Sequence, residues 1–198
     1  MRRDIRFLTI LLVIIWGMLA SCVVYANEDI PNATSKFVND FANVIDEETE
    51  KEISERGNAL YEAYPEKVQV MVVTIESLNG ENITDYALRM YNTYGIGLKD
   101  VNQGALILLS INDRKTWITT GAGTDDYYIT NDRASELAAM GSTYFKAGDF
   151  GNGLEVIQIA VIDEFNSKIN VEASVDSENE IQEVVHETKQ PISFRKEI

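Results

Sequence analysis

Residues 105–111, Ala-Leu-Ile-Leu-Leu-Ser-Ile, and residues 117–120, Trp-Ile-Thr-Thr, decide the fold of this chain. The first stretch is an almost continuous apolar run of strand length, which predicts a strand covered on both faces. The second is rich in residues that favour β-structure. A polar reversal, Asn-Asp-Arg-Lys at 112–115, joins them. The two strands are therefore predicted to be antiparallel neighbours.

The segment before this pair predicts a parallel strand. Residues 68–75 form a β-branched run that is typical of a buried strand. Residues 83–94 place apolar side chains at helical spacing, and Gly95 is suited to end that helix. A strand-helix-strand unit predicts parallel strands with a right-handed crossover. The fold class is therefore α/β, with a small mixed β-sheet flanked by helices in a layered sandwich.

Three more helices complete the predicted order of helix, strand, helix, strand, strand, helix, helix. Residues 37–45 lead into the first, for which Asp46 is the predicted N-cap and Pro65 the end. Another begins at Asp132 and continues to the glycine-rich segment 148–153. The final helix is predicted for residues 154–165.

Composition along the chain divides it into four ranges. Residues 1–26 form a signal peptide, 27–35 a polar linker, 36–168 the folded α/β domain, and 169–198 an acidic tail that we expect to be mostly disordered.

The leader predicts a location outside the cytoplasm. A basic start precedes an apolar core, residues 7–19, that is too short for a permanent membrane span. The small residues before Asn27 favour cleavage after Ala26 and secretion. The alternative is a lipoprotein anchored at Cys22, because residues 19–22 resemble a bacterial lipobox.

Charge and residue counts exclude several function classes. A net charge of −15 disfavours nucleic acid and anionic membrane surfaces as partners. Cations and basic proteins are compatible with this charge. An acidic surface also serves solubility. Because Cys22 and His186 are single residues outside the predicted domain, a disulfide framework, a cysteine zinc site and a Ser-His or Cys-His mechanism are excluded. Neither glycine-rich nucleotide fingerprint is present, so no nucleotide cofactor is expected.

The acidic loop after the second strand is the predicted site. Asp125 and Asp126 follow two glycines just past the strand end, and Asp132 and the carbonyls of residues 127–130 are close in sequence. Several oxygens on loops suit Ca²⁺, whereas Mg²⁺ requires stricter octahedral geometry. Alternatively, Asp132 is a helix cap and the other aspartates are solvated turn residues.

Several short motifs follow one another in a fixed order, at residues 38–45, 83–87, 94–99, 102–109, 113–115, 121–123 and 144–154. In this order they resemble the TPM domain, which is named after thylakoid and modulator proteins. The resemblance covers roughly residues 36–165. The loop at 121–128 departs from the family pattern, because Gly-Ala-Gly-Thr-Asp-Asp-Tyr-Tyr replaces the usual Gly-x-Gly-hydrophobic-Glu-Gly.

The resemblance implies the same α/β architecture and adds Asp40 to the candidate metal ligands. It allows two functions. The first is a non-catalytic extracytoplasmic module that binds Ca²⁺ and assists an unidentified envelope protein. The second is a metal-dependent acid phosphatase, in which a metal-activated hydroxide attacks the phosphoryl group and Arg114 or Lys99 binds substrate. Arg114, Lys99 and Lys115 are alternatively plain exposed charges.

We expect the mature protein to begin at Asn27 and to contain no cysteine, because cleavage after Ala26 removes Cys22. The intact mass of protein released from cells measures this directly. A diacylglyceryl adduct on Cys22 would instead establish lipoprotein processing.

Overall fold

The computed structural model describes residues 30–65, 67–97, 103–121 and 129–188, with side chains described as far as residue 169. Within these ranges four strands form one sheet in the order β1-β2-β3-β4. β1, β2 and β3 are mutually parallel, and β4 pairs antiparallel with β3. The predicted mixed sheet is thus confirmed. The strands are β1 (Val38–Asp40), β2 (Gln69–Ile75), β3 (Gly104–Ser110) and β4 (Lys115–Thr120).

Helices cover both faces of the sheet, which confirms the layered α/β class. α2 covers one face and packs on the side chains of alternate residues such as Met71 and Val73. α1, α3 and α5 cover the other and pack on Val70 and Val72. The helices are α1 (Glu47–Ala63), α2 (Ile83–Tyr94), α3 (Asn131–Ala139), α4 (Ser142–Ala147) and α5 (Phe150–Thr188).

The apolar runs in β2 and β3 follow from this double cover. Every residue of both strands is buried. Neither strand therefore shows the alternation of apolar and polar residues that is typical of a strand with one exposed face. The two strands are the central pair of the sheet and are paired from Gln69–Gly104 to Ile75–Ser110.

The register gives the sheet two distinct ends. Asp40 pairs with Thr74, which pairs with Leu109, so β1, β2 and β3 finish together beside the β3–β4 turn. We call this the turn end. Thr120 pairs with Ala105, and Gly121 N–H donates to Gly104 O at 3.3 Å, so β4 finishes where β3 begins. We call this the loop end. At about 3.3 Å per residue, the two ends lie roughly 16 Å apart along β3.

Local cap signals behave as the sequence predicts. Asp46 caps α1 and accepts from Thr49 N–H at 3.0 Å. Gly95 ends α2 with φ 61°, a left-handed conformation that glycine adopts without a side-chain clash.

Two predicted elements differ in the structure. Residues 38–40, predicted to lead into a helix, form strand β1 on the edge of the sheet. The helix predicted from Asp132 to Gly148 is interrupted at Met140–Gly141, and it becomes α3 and α4. A Cβ added at Gly141 would lie 2.6 Å from Phe145 Cζ, so the Phe145 ring occupies the space beside the break.

The last helix is longer than predicted. α5 extends from Phe150 to Thr188, and so includes residues 169–188, for which the sequence predicts a mostly disordered tail. Neither glycine nor proline occurs between Leu154 and Thr188 to interrupt a helix. Within the described ranges, no helix combines the length and the apolar composition needed to span a bilayer.

A buried polar contact joins α5 to α1. Gln158 is fully buried, and its Nε2 donates to Ile53 O at 2.8 Å. Its Oε1 accepts from Arg56 Nη1 at 2.9 Å, while Arg56 Nη2 donates to Glu155 at 2.6 Å. Gln158 therefore fixes the position of α5 against α1.

Gln158→Leu is expected to lower the free energy of unfolding by about 1–2 kcal/mol, because the variant removes the buried hydrogen bonds that Gln158 makes with Ile53 O and Arg56. Urea denaturation measures the change. Glu55→Gln, which removes one side of an exposed i,i+4 pair with Lys51, is the control and should change it by less than about 0.5 kcal/mol. Equal midpoints for the two variants would contradict the role of Gln158.

Candidate functional site

The turn end contains an open cleft of about 1090 Å³. It lies between the β3–β4 turn, α3, α4 and the first residue of α5. Leu109, Phe145 and Phe150 contribute apolar surface, and Arg114 and Lys146 contribute positive charge. This size and mixture of polar and apolar walls are typical of ligand-binding clefts.

Asp113 holds the turn that forms one wall of the cleft. Its Oδ2 accepts from Leu78 N–H at 2.7 Å, from Ser110 Oγ at 2.7 Å and from Ser77 Oγ at 3.1 Å. These hydrogen bonds lower the pKa of Asp113, and the bond from the Leu78 N–H contributes most, with that from the Ser110 hydroxyl second. The carboxylate thereby ties the β3–β4 turn to the loop that follows β2.

Arg114 lies beside Asp113 in this turn and has an unusual backbone. Its φ of 52° is left-handed, and its N–H donates to Ile111 O at 3.1 Å. The side chain is exposed and lines the cleft. Tight hydrogen bonding of the turn compensates for a conformation that non-glycine residues seldom adopt.

A second structured turn places Lys146 and Phe150. Gly148, at φ 80°, donates to Phe145 O at 3.1 Å, and Asp149 N–H donates to Tyr144 O at 3.0 Å. This pair of bonds is a Schellman motif, which ends α4 and fixes its last turn. The rings of Phe145 and Phe150 stack with centroids 6.2 Å apart.

Asp40, a predicted metal ligand, lies at the turn end and is already hydrogen-bonded. Its Oδ2 accepts from Val44 N–H at 2.7 Å and from Ile45 N–H at 2.8 Å, and its Oδ1 accepts from Thr74 Oγ1. These bonds shape the chain between β1 and α1. Asp40 therefore has a structural role in the described arrangement.

Asp132, another predicted ligand, lies toward the loop end. It is exposed in the first turn of α3, where Thr130, and not Asp132, is the N-cap. The next residue, Arg133, forms an ion pair with Glu164 of α5 at 2.5 Å. Glu164 is 14 residues along α5 from Phe150, which lies at the cleft. At about 1.5 Å per residue this is roughly 20 Å along α5, so the structure does not bring Asp132 to Asp40.

Asp125, Asp126 and Lys99 lie outside the described residues. The structure shows where their loop begins, because Gly121 is at the loop end beside Gly104. Among the described residues, no three His, Cys, Asp or Glu side chains are grouped so that they could hold a metal ion. The predicted metal and substrate-binding residues stay predictions.

Comparison with known families identifies the domain. The model of the TPM domain matches residues 38–164, which is more than half of the chain. The chain belongs to the TPM domain family. Resemblance in the short motifs is therefore confirmed over nearly the whole range that the sequence indicates.

Solved structures agree with this assignment. The N-terminal domain of a protein from P. gingivalis is 25% identical, with a TM-score of 0.61 over 73% of this chain and 93% of that one. The N-terminal domain of the cg2496 protein from Corynebacterium glutamicum is 13% identical, with a TM-score of 0.50 over 71% and 86%, and shows the shared fold alone. No curated protein matches the chain.

Two residues at the cleft of this TPM domain were not identified as site residues from sequence: Lys146, which lines the cleft, and Asp113, which holds the neighbouring turn. Asp113 is predicted only as part of a polar reversal, but an aspartate between two strands and near serines is a signal for side-chain capping of a turn. Lys146 carries no such signal, because its place in the cleft depends on how α4 folds back after the break at Gly141.

Asp113→Ala is expected to lower the free energy of unfolding by about 2 kcal/mol at neutral pH, because the fully buried Ser110 and the Leu78 N–H lose their acceptor. Since folding lowers the pKa of Asp113, its stabilisation is present above the unfolded pKa of about 3.9 and is lost as pH falls through the lower folded value.

The measurement is urea denaturation of both proteins from neutral to acidic pH. The difference in stability should be constant near neutrality and become smaller below about pH 4. Asp163→Ala, an exposed aspartate on α5, is the control. A difference that grows with acidification would contradict the assigned hydrogen bonds.

Proposed function

We propose that this TPM domain is a non-catalytic accessory module that acts outside the cytoplasm, binds Ca²⁺ through Asp125, Asp126 and Asp132 near the loop end, and assists an envelope protein. The leader supports the location, and the acidic loop supports the choice of cation. Mg²⁺ is the weaker candidate, because its strict octahedral geometry suits an irregular loop less well.

The separation of Arg114 from the loop end carries the proposal, against a phosphatase that uses Arg114 to bind its substrate. A metal-dependent phosphatase needs its metal and its phosphate-binding cation on the same phosphoryl group. Arg114 lies at the turn end, whereas Gly121, from which the acidic loop begins, lies beyond Thr120 at the other end of β4. At about 3.3 Å per residue, the backbones of Arg114 and Gly121 are roughly 20 Å apart.

The bonding of Asp40 adds support. Both carboxylate oxygens accept hydrogen bonds from the protein, so a metal there would compete with the Val44, Ile45 and Thr74 donors. The single histidine, His186, provides no general base in the matched domain. Both features favour binding over hydrolysis.

We expect about 1 mM calcium to stabilise residues 27–198 by on the order of 1 kcal/mol, if the affinity is typical of extracellular modules. For a domain of this size that is a rise in Tm of about 3 °C. Thermal melting with calcium, magnesium and chelator measures it. Asp125→Asn/Asp126→Asn should abolish the rise, because the variant lacks the two adjacent carboxylates.

Two controls separate a specific site from general charge. Glu52→Gln/Glu55→Gln removes the same charge from the exposed side of α1 and should keep the calcium response. Asp40→Asn should lower Tm in all conditions and also keep the response. Equal Tm values in calcium and chelator would show that Asp125 and Asp126 are ordinary loop residues.

The same preparations distinguish the module from a phosphatase. We expect phosphomonoester hydrolysis, with or without added metal, to be the same for the wild type, Arg114→Asn and Asp125→Asn/Asp126→Asn. Comparison of variants is essential because trace contaminating phosphatase produces weak activity in all three. Metal-dependent hydrolysis that disappears in Asp125→Asn/Asp126→Asn would overturn the non-catalytic proposal, whether or not Arg114→Asn also loses it.

A further inference from the structure

We propose that the cleft at the turn end binds an organic anion, with its anionic group between Arg114 and Lys146 and its apolar body against Phe145 and Phe150. This inference concerns a second ligand and does not depend on calcium binding at the loop end. It rests on the charge, the hydrogen bonding and the walls of the cleft.

The charge of the cleft is opposite to that of the protein. The chain contains 32 acidic residues against 17 Lys and Arg, yet among the described residues no Asp or Glu lines the cleft, whereas Arg114 and Lys146 do. An opening with low-dielectric walls and one sign of charge concentrates ligands of the opposite sign. The cleft therefore favours an anion.

The neighbouring carboxylates do not neutralise this charge by direct pairing. Asp113 accepts from Leu78, Ser77 and Ser110 through one oxygen. Asp149, adjacent to Phe150, accepts from Asn152 N–H at 3.4 Å and from Asn152 Nδ2 at 2.9 Å.

Arg114 differs from the other arginines in the described part of the chain. Arg56 pairs with Glu155, Arg89 with Glu81, and Arg133 with Glu136 and Glu164. No ion pair within the described ranges involves Arg114 or Lys146. A guanidinium without a carboxylate partner can offer its planar fork of donors to a phosphate or carboxylate head group.

The backbones that carry the two cations are fixed before a ligand arrives. Arg114 lies in a hydrogen-bonded turn at φ 52°, and Lys146 lies in the last turn of α4, which Gly148 closes. Pre-organised groups lose less conformational freedom on binding. Ser142 also lines the cleft and supplies a hydroxyl donor.

The apolar walls indicate that the ligand is more than a small inorganic ion. Phe145 and Phe150 stack at 6.2 Å with an interplanar angle of 26° and present aromatic surface to the cleft. A cleft of about 1090 Å³ is much larger than one phosphate needs. The ligand class is therefore an anionic head group attached to a flat apolar body.

The test uses two probes with one apolar body, naphthylmethylphosphonate and naphthoate, and a neutral control, naphthalenemethanol. The phosphonate cannot be hydrolysed, so its binding is independent of phosphatase activity. Calorimetric titration of residues 27–198 with chelator present removes any contribution from calcium. Both anions should bind saturably and more tightly than the alcohol, and the tighter of the two identifies phosphate or carboxylate as the natural head group.

Two variants remove the charges without disturbing the fold. Arg114→Asn keeps a residue that tolerates the left-handed turn, and Lys146→Gln keeps a helix-forming side chain. Each should weaken anion binding about tenfold, and the double variant should abolish it. Lys51→Gln, which removes an equal charge from α1, should change nothing.

Three results would overturn the proposal: saturable binding of neither anion, equal binding of the neutral alcohol, or unchanged anion affinity in the double variant. A failure of the calcium response at the loop end would leave these measurements unaffected. Conversely, absence of anion binding would leave the calcium proposal as it stands.

Discussion

The antiparallel pairing of β4 with β3 is the constraint on which the arrangement of this domain depends. Three parallel strands finish at the turn end, and the β3–β4 turn reverses the chain there. In open parallel sheets, functional loops gather past the carboxyl ends of the strands. Here the reversal leaves the cleft beside those ends and takes β4 back to the opposite end, where Gly121 follows it. One hairpin thus separates the cleft from Gly121.

Elements set by local signals could be predicted from the sequence. β2 and β3 are continuous apolar runs because both faces are covered, and α2 has a full apolar stripe and a left-handed Gly95 at its end. β1 could not be predicted in this way, because it has three residues and is a strand only through pairing with β2, more than 30 positions away. The break at Gly141 likewise depends on the space taken by Phe145.

The types of residue in the candidate site could be predicted from the sequence, whereas their positions relative to one another were harder to predict. Asp40 is an acidic residue after an unrecognised strand, and its hydrogen bonds to Val44 and Ile45 come from a turn whose shape the sequence does not specify. Arg114 was identified through its motif, whereas Lys146 reaches the same cleft only because α4 folds back. The relative position of the two cations depends on the direction of the strands and on the breaks between helices. The spacing of motifs along the sequence does not specify either.

Net charge and local charge lead to different conclusions about ligands. A net charge of −15 disfavours the binding of large polyanions, because their many charges interact with a large part of the protein surface. A small anion in the cleft meets mainly Arg114 and Lys146, because charges farther away than about 8 Å are largely screened at physiological ionic strength. The roughly 16 Å along β3 between the two ends exceeds that length twofold. Charges at the loop end are therefore largely screened from the cleft at that salt concentration, so the net acidity of the chain does not exclude a small anion from the cleft.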